Sequence, residues 1–427
     1  MIKTILPSTF CNKCGIPGFL HLRPRIFCYL SYLGKSSPSL ILFKAPLIFL
    51  AFLILPFVSV SQQDSCHLRM TLLTCSPGEE LYSAWGHTAI RVTDQATGMD
   101  MVYNYGTFDD SDPDFYFQFT KGIMHYALSV YPYSDFLSEY QYQNRGIIEQ
   151  VLDLSCNDKA TIYRALQVNN IGENRFYYYY FHTDNCTTRA KDMIVQNNTN
   201  KIVFKNILPH PDVTFRHLIH SYLDYSDKYW SKFGIDLFLG LNLDKKLTNE
   251  AAMFLPDYLK KGFDSALVNQ KPIVSESQVV LKWPDVSDTS NWWFSPLAVF
   301  SLLLILVVAL TFYQGTAASR FLAVFDSMFF FLVGLLGLLM ITLWLIRVDD
   351  VCRNNMNLLW ALPTHTIAAF LMHRKDGWIR TYFKVTFWLS LLLAITWFFI
   401  PQQINTAVAP LNLLILIRSF FHTKKTN

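Results

Sequence analysis

The last third of the chain is the part that most limits how it can fold. From Trp292 onward five apolar stretches follow one another, at about 292–312, 327–346, 357–372, 382–400 and 406–421. Each runs to roughly 16–21 residues, near the length a helix needs to cross the hydrocarbon core of a bilayer. The third and fifth are short enough to be tilted, re-entrant or buried by their neighbours. Trp292, Trp293, Trp378 and Trp397 stand near the ends of these stretches, where interfacial aromatics sit. Composition agrees. Hydrophobic residues make up 52% and charged residues 16%, against about 25% charged in average soluble proteins. That excludes a disordered chain and argues against an ordinary soluble enzyme. A net charge of +4, with no basic stripe among the aromatics, leaves no footprint for nucleic acid.

Upstream, Leu40–Ser61 reads LILFKAPLIFLAFLILPFVSVS. Lys44 before an apolar run, and Ser59-Val60-Ser61 after it, have the form of a secretory signal with a small-residue cleavage site. An uncleaved signal anchor is the alternative, and either would export the residues beyond 61. Cys11-x-x-Cys14 with His21 and Cys28 is a loose metal-like grouping, in a segment expected to be absent from the mature chain. The expected organisation is therefore an N-terminal extension and signal over 1–61, one extracytoplasmic domain over 62–290, and a five-helix membrane domain over 291–427. The Lys/Arg bias gives the same orientation. With the domain outside, the inner loops carry Arg320, Arg374, Lys375, Arg380, Lys424 and Lys425. The outer ones carry only Arg347 and Arg353, offset by Asp349 and Asp350.

The strongest local chemistry is Asp184-Asn185-Cys186-Thr187-Thr188-Arg189-Ala190. An aromatic run, Phe176–Phe181, precedes it and reads as an extended segment. Cys186, Ala190, Met193 and Ile194 recur at helical spacing. Asp184 or Asn185 can cap that helix with a side-chain oxygen. Cys186 then falls in the first turn, where the helix dipole and unpaired N–H groups favour a thiolate and could stabilise an oxyanion. The plainer alternative is a structural cysteine. A nucleophilic thiolate needs a base, and His87 is the candidate. Thr88, Ile90 and Val92 alternate as one strand face, with His87, Ala89 and Arg91 on the other. Asp94–Gly98 is a turn, and Met101–Tyr105 reads as the returning strand. On it, Asn104 is an amide able to orient the imidazole, with His125 as its competitor.

A histidine on an early strand, a polar residue on the next and Asn-Cys at a later helix start resemble the circularly permuted papain-like order of the NlpC/P60 superfamily and of lecithin:retinol acyltransferase-like enzymes. More closely, LLTCSPGEELYSAWGHTAIRV (72–92), YNYGTFD (103–109), DNCTTRAKD (184–192), FGIDLFLGL (233–241) and MFLPDYL (253–259) resemble the Lnb-type N-terminal periplasmic domain. NLLWALPTHTIAAF (357–370) resembles the membrane domain that accompanies it. The resemblance spans about 66–421. It implies an α+β papain-like domain ahead of transmembrane helices, and an inner-membrane lipoprotein N-acyltransferase. Such an enzyme moves a fatty acyl chain from a phospholipid to the free α-amine of a lipoprotein's diacylglyceryl cysteine. Cys186 and His87 match the family's motifs. Asn104 lies in a matching segment, its role being our inference, and nothing gives His182 a catalytic role. The chemistry calls for no metal or other cofactor. The partners are a phospholipid donor, a lipoprotein acceptor and the membrane.

Other residues carry weaker expectations. Phe115-Tyr116-Phe117-Gln118-Phe119 and Tyr131-Pro132-Tyr133 are lipid-contacting segments or core aromatics. Export permits a Cys66–Cys75 or Cys75–Cys156 bridge, or none. His365, with Pro363 and Thr366 inside the third apolar stretch, lines a lipid-access groove or makes a packing hydrogen bond. Asp326 is expected at a helix edge, at the interface. Two other function classes stand beside the acyltransferase. One is a cell-wall cysteine amidase or peptidase, which needs no membrane domain. The other is a non-catalytic membrane-bound scaffold.

Overall fold

The computed structural model describes residues 66–108, 111, 113–283, 292–313, 315–374 and 377–424. The expected export segment, the Cys11, Cys14, His21 and Cys28 grouping, and the expected 290/291 boundary lie outside the described residues. Seven strands form one antiparallel sheet: β1 (Leu68–Cys75), β2 (His87–Asp94), β3 (Met99–Thr107), β4 (His125–Pro132), β5 (Ile147–Leu152), β6 (Phe176–Tyr178) and β7 (Val274–Leu281). Their spatial order is β6-β4-β3-β2-β1-β5-β7. The helices among them are α1 (Phe115–Lys121), α2 (Tyr133–Tyr142), α3 (Cys156–Asn169), α4 (Cys186–Gln196), α5 (Phe215–Tyr225), α6 (Tyr229–Phe238) and α7 (Pro256–Ser265). The domain is thus α+β.

Both faces of the sheet are covered, so its central strands are apolar on both sides. Met70, Leu72, Ile90 and Val92 pack with Ile162 of α3, Ala190 and Ile194 of α4 and Phe263 of α7. Leu73, Cys75, Ala89 and Val102 pack with Phe136 and Tyr140 of α2. The β2–β3 hairpin forms as its turn predicts, with Ile90 opposite Tyr103. Where β3 meets β4 the register shifts between Tyr105 and Thr107, a bulge centred on Gly106. Gly106 has φ +99°, a conformation that glycine adopts without a steric penalty.

The apolar tail forms α8 (Pro296–Phe312), α9 (Thr316–Ile346), α10 (His365–Leu371), α11 (Gly377–Thr396) and α12 (Val408–Thr423). Among the described residues, α9 and α11, the latter continuing to Phe399, are long and apolar enough to cross a membrane; α8 and α12 are shorter apolar helices. The third stretch departs from expectation. It is not one helix but a short 3-10 turn (Met356–Leu359), an irregular link and the seven-residue α10. It runs antiparallel to α9. A Cβ on Gly337 would collide with the Ala361 carbonyl oxygen, one on Gly334 would collide with the Thr366 nitrogen, and the Ser327 hydroxyl is 2.9 Å from the His373 ring. Pro363 has no N–H to continue a helix. Irregular backbone survives in an apolar setting when protein covers it, and Trp360, Ala361 and His365 are fully buried. His365 meets the Tyr382 hydroxyl at 2.7 Å, a packing hydrogen bond.

Asp326 is also not where the sequence placed it. The second stretch becomes helical at Thr316, not 327, so Asp326 lies well inside α9 and is buried. Arg418 of α12 grips both carboxylate oxygens at 2.7 and 2.8 Å, and His422 meets one at 2.8 Å. A buried charge needs partners of this kind.

Polar contacts join the two parts of the chain. Asp236 of α6 meets Arg216 at 2.8 Å, His220 at 2.7 Å and Asn405, from the loop before α12, at 2.8 Å. Asn355 and Asn357 donate to the carbonyls of Leu237 and Asp236. At the end of α9, Val348 N–H donates to the Lys121 carbonyl (2.9 Å) and Arg347 to the Phe119 carbonyl (3.1 Å). These bonds set α1 against that end. The arginines that follow α9 pair locally, Arg347 with Asp349 and Arg353 with Asp350.

Candidate active site

Cys186 is the first residue of α4. Asn185, not Asp184, caps the helix: its Oδ1 accepts from the N–H groups of Thr187 and Thr188, and the Thr188 hydroxyl accepts from the Asn185 N–H. Asp184 instead holds Arg189 through two bonds of 2.6 and 2.7 Å. The cap thus occupies two first-turn N–H groups that the sequence left free for an oxyanion. The Thr187 hydroxyl lies 3.2 Å from that of Thr88 and fixes the helix start to β2.

His87 begins β2. Its Nε2 lies 2.5 Å from Asn104 Oδ1. The Asn104 amide nitrogen donates to the Tyr131 hydroxyl at 2.8 Å, which leaves Oδ1 to accept the imidazole proton. The other ring nitrogen is then free of a proton unless the thiol gives one up. Gly106 stands at the junction of the two side chains. A Cβ there would lie 3.4 Å from Cys186 Cβ and 3.9 Å from His87 Cε1.

Electrostatics favour an ionised pair. Burial alone would raise the Cys186 thiol; the charge and hydrogen bond of His87, the Thr88 backbone N–H and the Thr187 hydroxyl overcome it, lowering the thiol from 9.0 to about 7. Burial would likewise depress His87, but the charge and hydrogen bond of Cys186 and the bond to Asn104 raise it above 6.5. Cys75, paired with His87 across the β1–β2 ladder, behaves oppositely: burial carries its thiol up to about 12.

The sequence candidates separate cleanly. Cys186, His87 and Asn104 converge. His125 does not join them: it lies exposed on β4, stacked on Phe176 with ring centroids 5.2 Å apart. His182 packs on Phe215. Gly106, Thr88 and Tyr131 were missed as site residues. Gly-Thr after Tyr-Asn-Tyr was a signal for the bulge, but only the β3–β4 register gives it meaning. Cys66, Cys75, Cys156, Cys186 and Cys352 form no disulfide, so of the alternatives the sequence left open the one without a bridge is found. The Phe115–Phe119 segment is α1, with Tyr116 and Phe117 exposed. Tyr131 instead faces the site.

Two hollows accompany this arrangement. One, of about 600 Å³, lies beside the bulge between α1, β4 and β6. The other, of about 440 Å³, is an apolar cleft among Phe233, Phe300, Phe325 and Leu332.

Fold and site together define a two-part membrane protein, an α+β domain with a half-buried thiol–imidazole pair followed by apolar helices. Residues 60–221 match the family model described as the Lnb N-terminal periplasmic domain, and residues 288–427 match the one described as the Lnb transmembrane domain. The chain belongs to the Lnb family, and is a membrane protein with a periplasmic domain. Membership suggests an enzyme with a lipoprotein N-acyltransferase-like role. No curated protein and no solved structure matches the chain.

Proposed function

We propose that this protein is a thiol-dependent lipoprotein N-acyltransferase of the inner membrane, with residues 62–290 as a papain-like periplasmic domain of permuted order and a multi-pass tail whose five apolar segments all cross the bilayer. The observation that carries the reading is the meeting of Cys186 with an Asn104-oriented His87, in a domain bonded directly to the membrane helices. Both substrates of such an enzyme are confined to the bilayer surface.

In this reading the Cys186 thiolate attacks the carbonyl carbon of a phospholipid ester. The tetrahedral intermediate collapses, the ester C–O bond breaks, and His87 gives its proton to the departing lysophospholipid oxygen. The acyl chain is left as a thioester on Cys186. The α-amine of the lipoprotein's N-terminal cysteine then attacks the thioester. His87 takes the amine proton, the C–S bond breaks, and the thiolate returns with an amide as product. Asn104 is a positioning residue that holds the ring. Water must be kept from the thioester, and the neighbouring membrane surface serves that end.

The test is the covalent intermediate. Given phospholipid without acceptor, the protein should carry a fatty acyl adduct on Cys186, labile to neutral hydroxylamine and absent from Cys186→Ala. A diacylated lipopeptide with a free N-terminus should discharge it to a triacylated product, and an N-blocked one should not. Peptidoglycan cleavage without a lipid adduct would replace this reading with the cell-wall amidase. Topology is tested separately: a reporter fused at the C-terminus should report the cytoplasm, as an odd number of crossings requires.

A further inference from the structure

The hollow beside the bulge has chemistry that the thiol–imidazole pair does not use. Its floor is β4, through His125, Ala127 and Ser129, and one wall is α1, through Phe115, Gln118 and Phe119. Thr107 and Phe108 bring it to the end of β3, next to Gly106. Arg175 and Phe176 close the far side. Arg175 has no carboxylate partner among the described residues; its guanidinium lies 4.9 Å from the Phe176 ring centre. Phe176 in turn stacks on His125. One aromatic ring thus places a fixed cation and an imidazole at the same rim.

Height relative to the membrane comes from α1. The bonds from Val348 and Arg347 hold its C-terminal end at the close of α9, where the apolar helix gives way to Arg347, Asp349 and Asp350. Tyr116 and Phe117 project from it, 74% and 60% exposed, as aromatics do at headgroup level. The hollow therefore combines aromatic walls, polar groups (Thr107, Gln118, Ser129) and a guanidinium with no carboxylate partner among the described residues, at the boundary between hydrocarbon and water. Arginine suits a phosphate diester, which its planar donors can grip through two oxygens.

We propose that this hollow binds the glycerophosphate headgroup of the acyl donor, with Arg175 holding the phosphate and His125 as a second donor, so that the ester lies toward Gly106 and the Cys186 sulfur. The assignment rests on the acyltransferase reading and adds to it the residues that hold the donor's headgroup.

The experiment measures binding, so it does not depend on turnover. Full-length Cys186→Ala protein in detergent is titrated with dihexanoyl glycerophospholipid, with dihexanoylglycerol and with inorganic phosphate. The phospholipid should bind more tightly than the neutral diglyceride, and inorganic phosphate should compete with it. Arg175→Gln should weaken phospholipid binding by about tenfold, the worth of one charge-assisted contact at a half-open site. It should leave the diglyceride unchanged, and Arg175→Lys should recover part of the loss. Unaltered phospholipid affinity in a folded Arg175→Gln protein overturns the assignment, as does an equal loss for both lipids. If binding follows Arg175 while wild-type Cys186 never acquires an acyl group, the headgroup site stands and the transfer reading falls.

Discussion

His87, half-buried, and His220, buried, occupy two polar clusters built on opposite plans. Around His220 the strong groups are matched. Asp236 receives His220, Arg216 and Asn405, while Arg216 also engages Asp244 and the carbonyls of Leu239 and Gly240. Burial opposes ionisation of Asp236, yet the His220 bond and the His220 and Arg216 charges hold its carboxyl below the usual range. That cluster has full charges, many bonds and contacts reaching to both parts of the chain, so it locks. Around His87 the partners are an amide and a thiol. The charge there can be made or lost by moving one proton, and Gly106 leaves the pair a side without a side chain. The lesson is that a histidine in a saturated ionic network holds structure, whereas one between a neutral orienting group and an acid of similar strength is able to move a proton.

The largest expected effect breaks the comparison at its chemical end. Cys186→Ala should abolish acyl transfer, and His87→Ala should lower it by about 10²–10⁴-fold, the usual worth of a general acid–base. Neither should greatly shift thermal unfolding of the purified protein. Near-normal activity in His87→Ala at equal protein level would remove His87 from the mechanism. At the structural end, Arg216→Met should have the reverse profile. It strands Asp236 and Asp244 in a buried site, at a cost of about 3–5 kcal/mol, seen as a much lower unfolding temperature in detergent. An Arg216→Met protein as stable as wild type would show that the cluster is not a lock.

Gly106→Val probes the open side. A β-branched residue at φ +99° costs about 1–3 kcal/mol and places atoms against Cys186 and His87. Activity should fall by more than the loss of folded protein explains, as judged by specific activity of the folded fraction. Asn104→Ala should be milder, up to about tenfold in kcat, matching one neutral hydrogen bond. A loss as deep as that of His87→Ala would make Asn104 more than a positioning residue.

The smallest effect is in pH. Alkylation of Cys186 by iodoacetamide should rise with pH through about 7, because the depressed thiol is ionised above that point and protonated below it. In His87→Ala the midpoint should move upward, since the cation that favours the thiolate is gone. Cys75, whose thiol burial raises to about 12, should stay unmodified throughout. Mass mapping of the alkylated protein reads all three, and a Cys186 midpoint unmoved by His87→Ala would uncouple the pair.

The sequence revealed most where the determinants are local. The cap, the helix spacing after Cys186 and the β2–β3 hairpin depend on residues a few positions apart, whereas the pairing of Cys186 with the distant His87 came through the need for a base and the family resemblance, and the His87–Asn104 contact was inferred without a register. What was misread depends on distant partners. Asp326 looked interfacial because Arg418 and His422 come from a helix at the far end of the chain. The 357–372 stretch counted as one of five helices, with re-entry or burial by neighbours left open, because hydropathy does not register that Gly334 and Gly337 let irregular backbone press against α9. Gly106 and Arg175 were passed over because a bulge and a rim exist only once β4 and β6 are in place. His125 was a fair competitor until its place at the exposed end of β4, paired with Tyr178 and stacked on Phe176, set it apart from His87.

Helix α9 has 31 residues, about 46 Å at 1.5 Å per residue, against a hydrocarbon thickness of about 30 Å. A helix longer than the hydrocarbon it crosses leans, and the lean varies with the lipid mixture. Because α1 is bonded to the end of α9, leaning α9 raises or lowers the wall of the hollow beside the bulge. On the multi-pass reading proposed above, bilayer thickness would then act on this protein through geometry, with no ligand and no chemical modification. Reconstituted in short-chain and long-chain lipids of the same headgroup, it should turn over at different rates although every residue around Cys186 is unchanged.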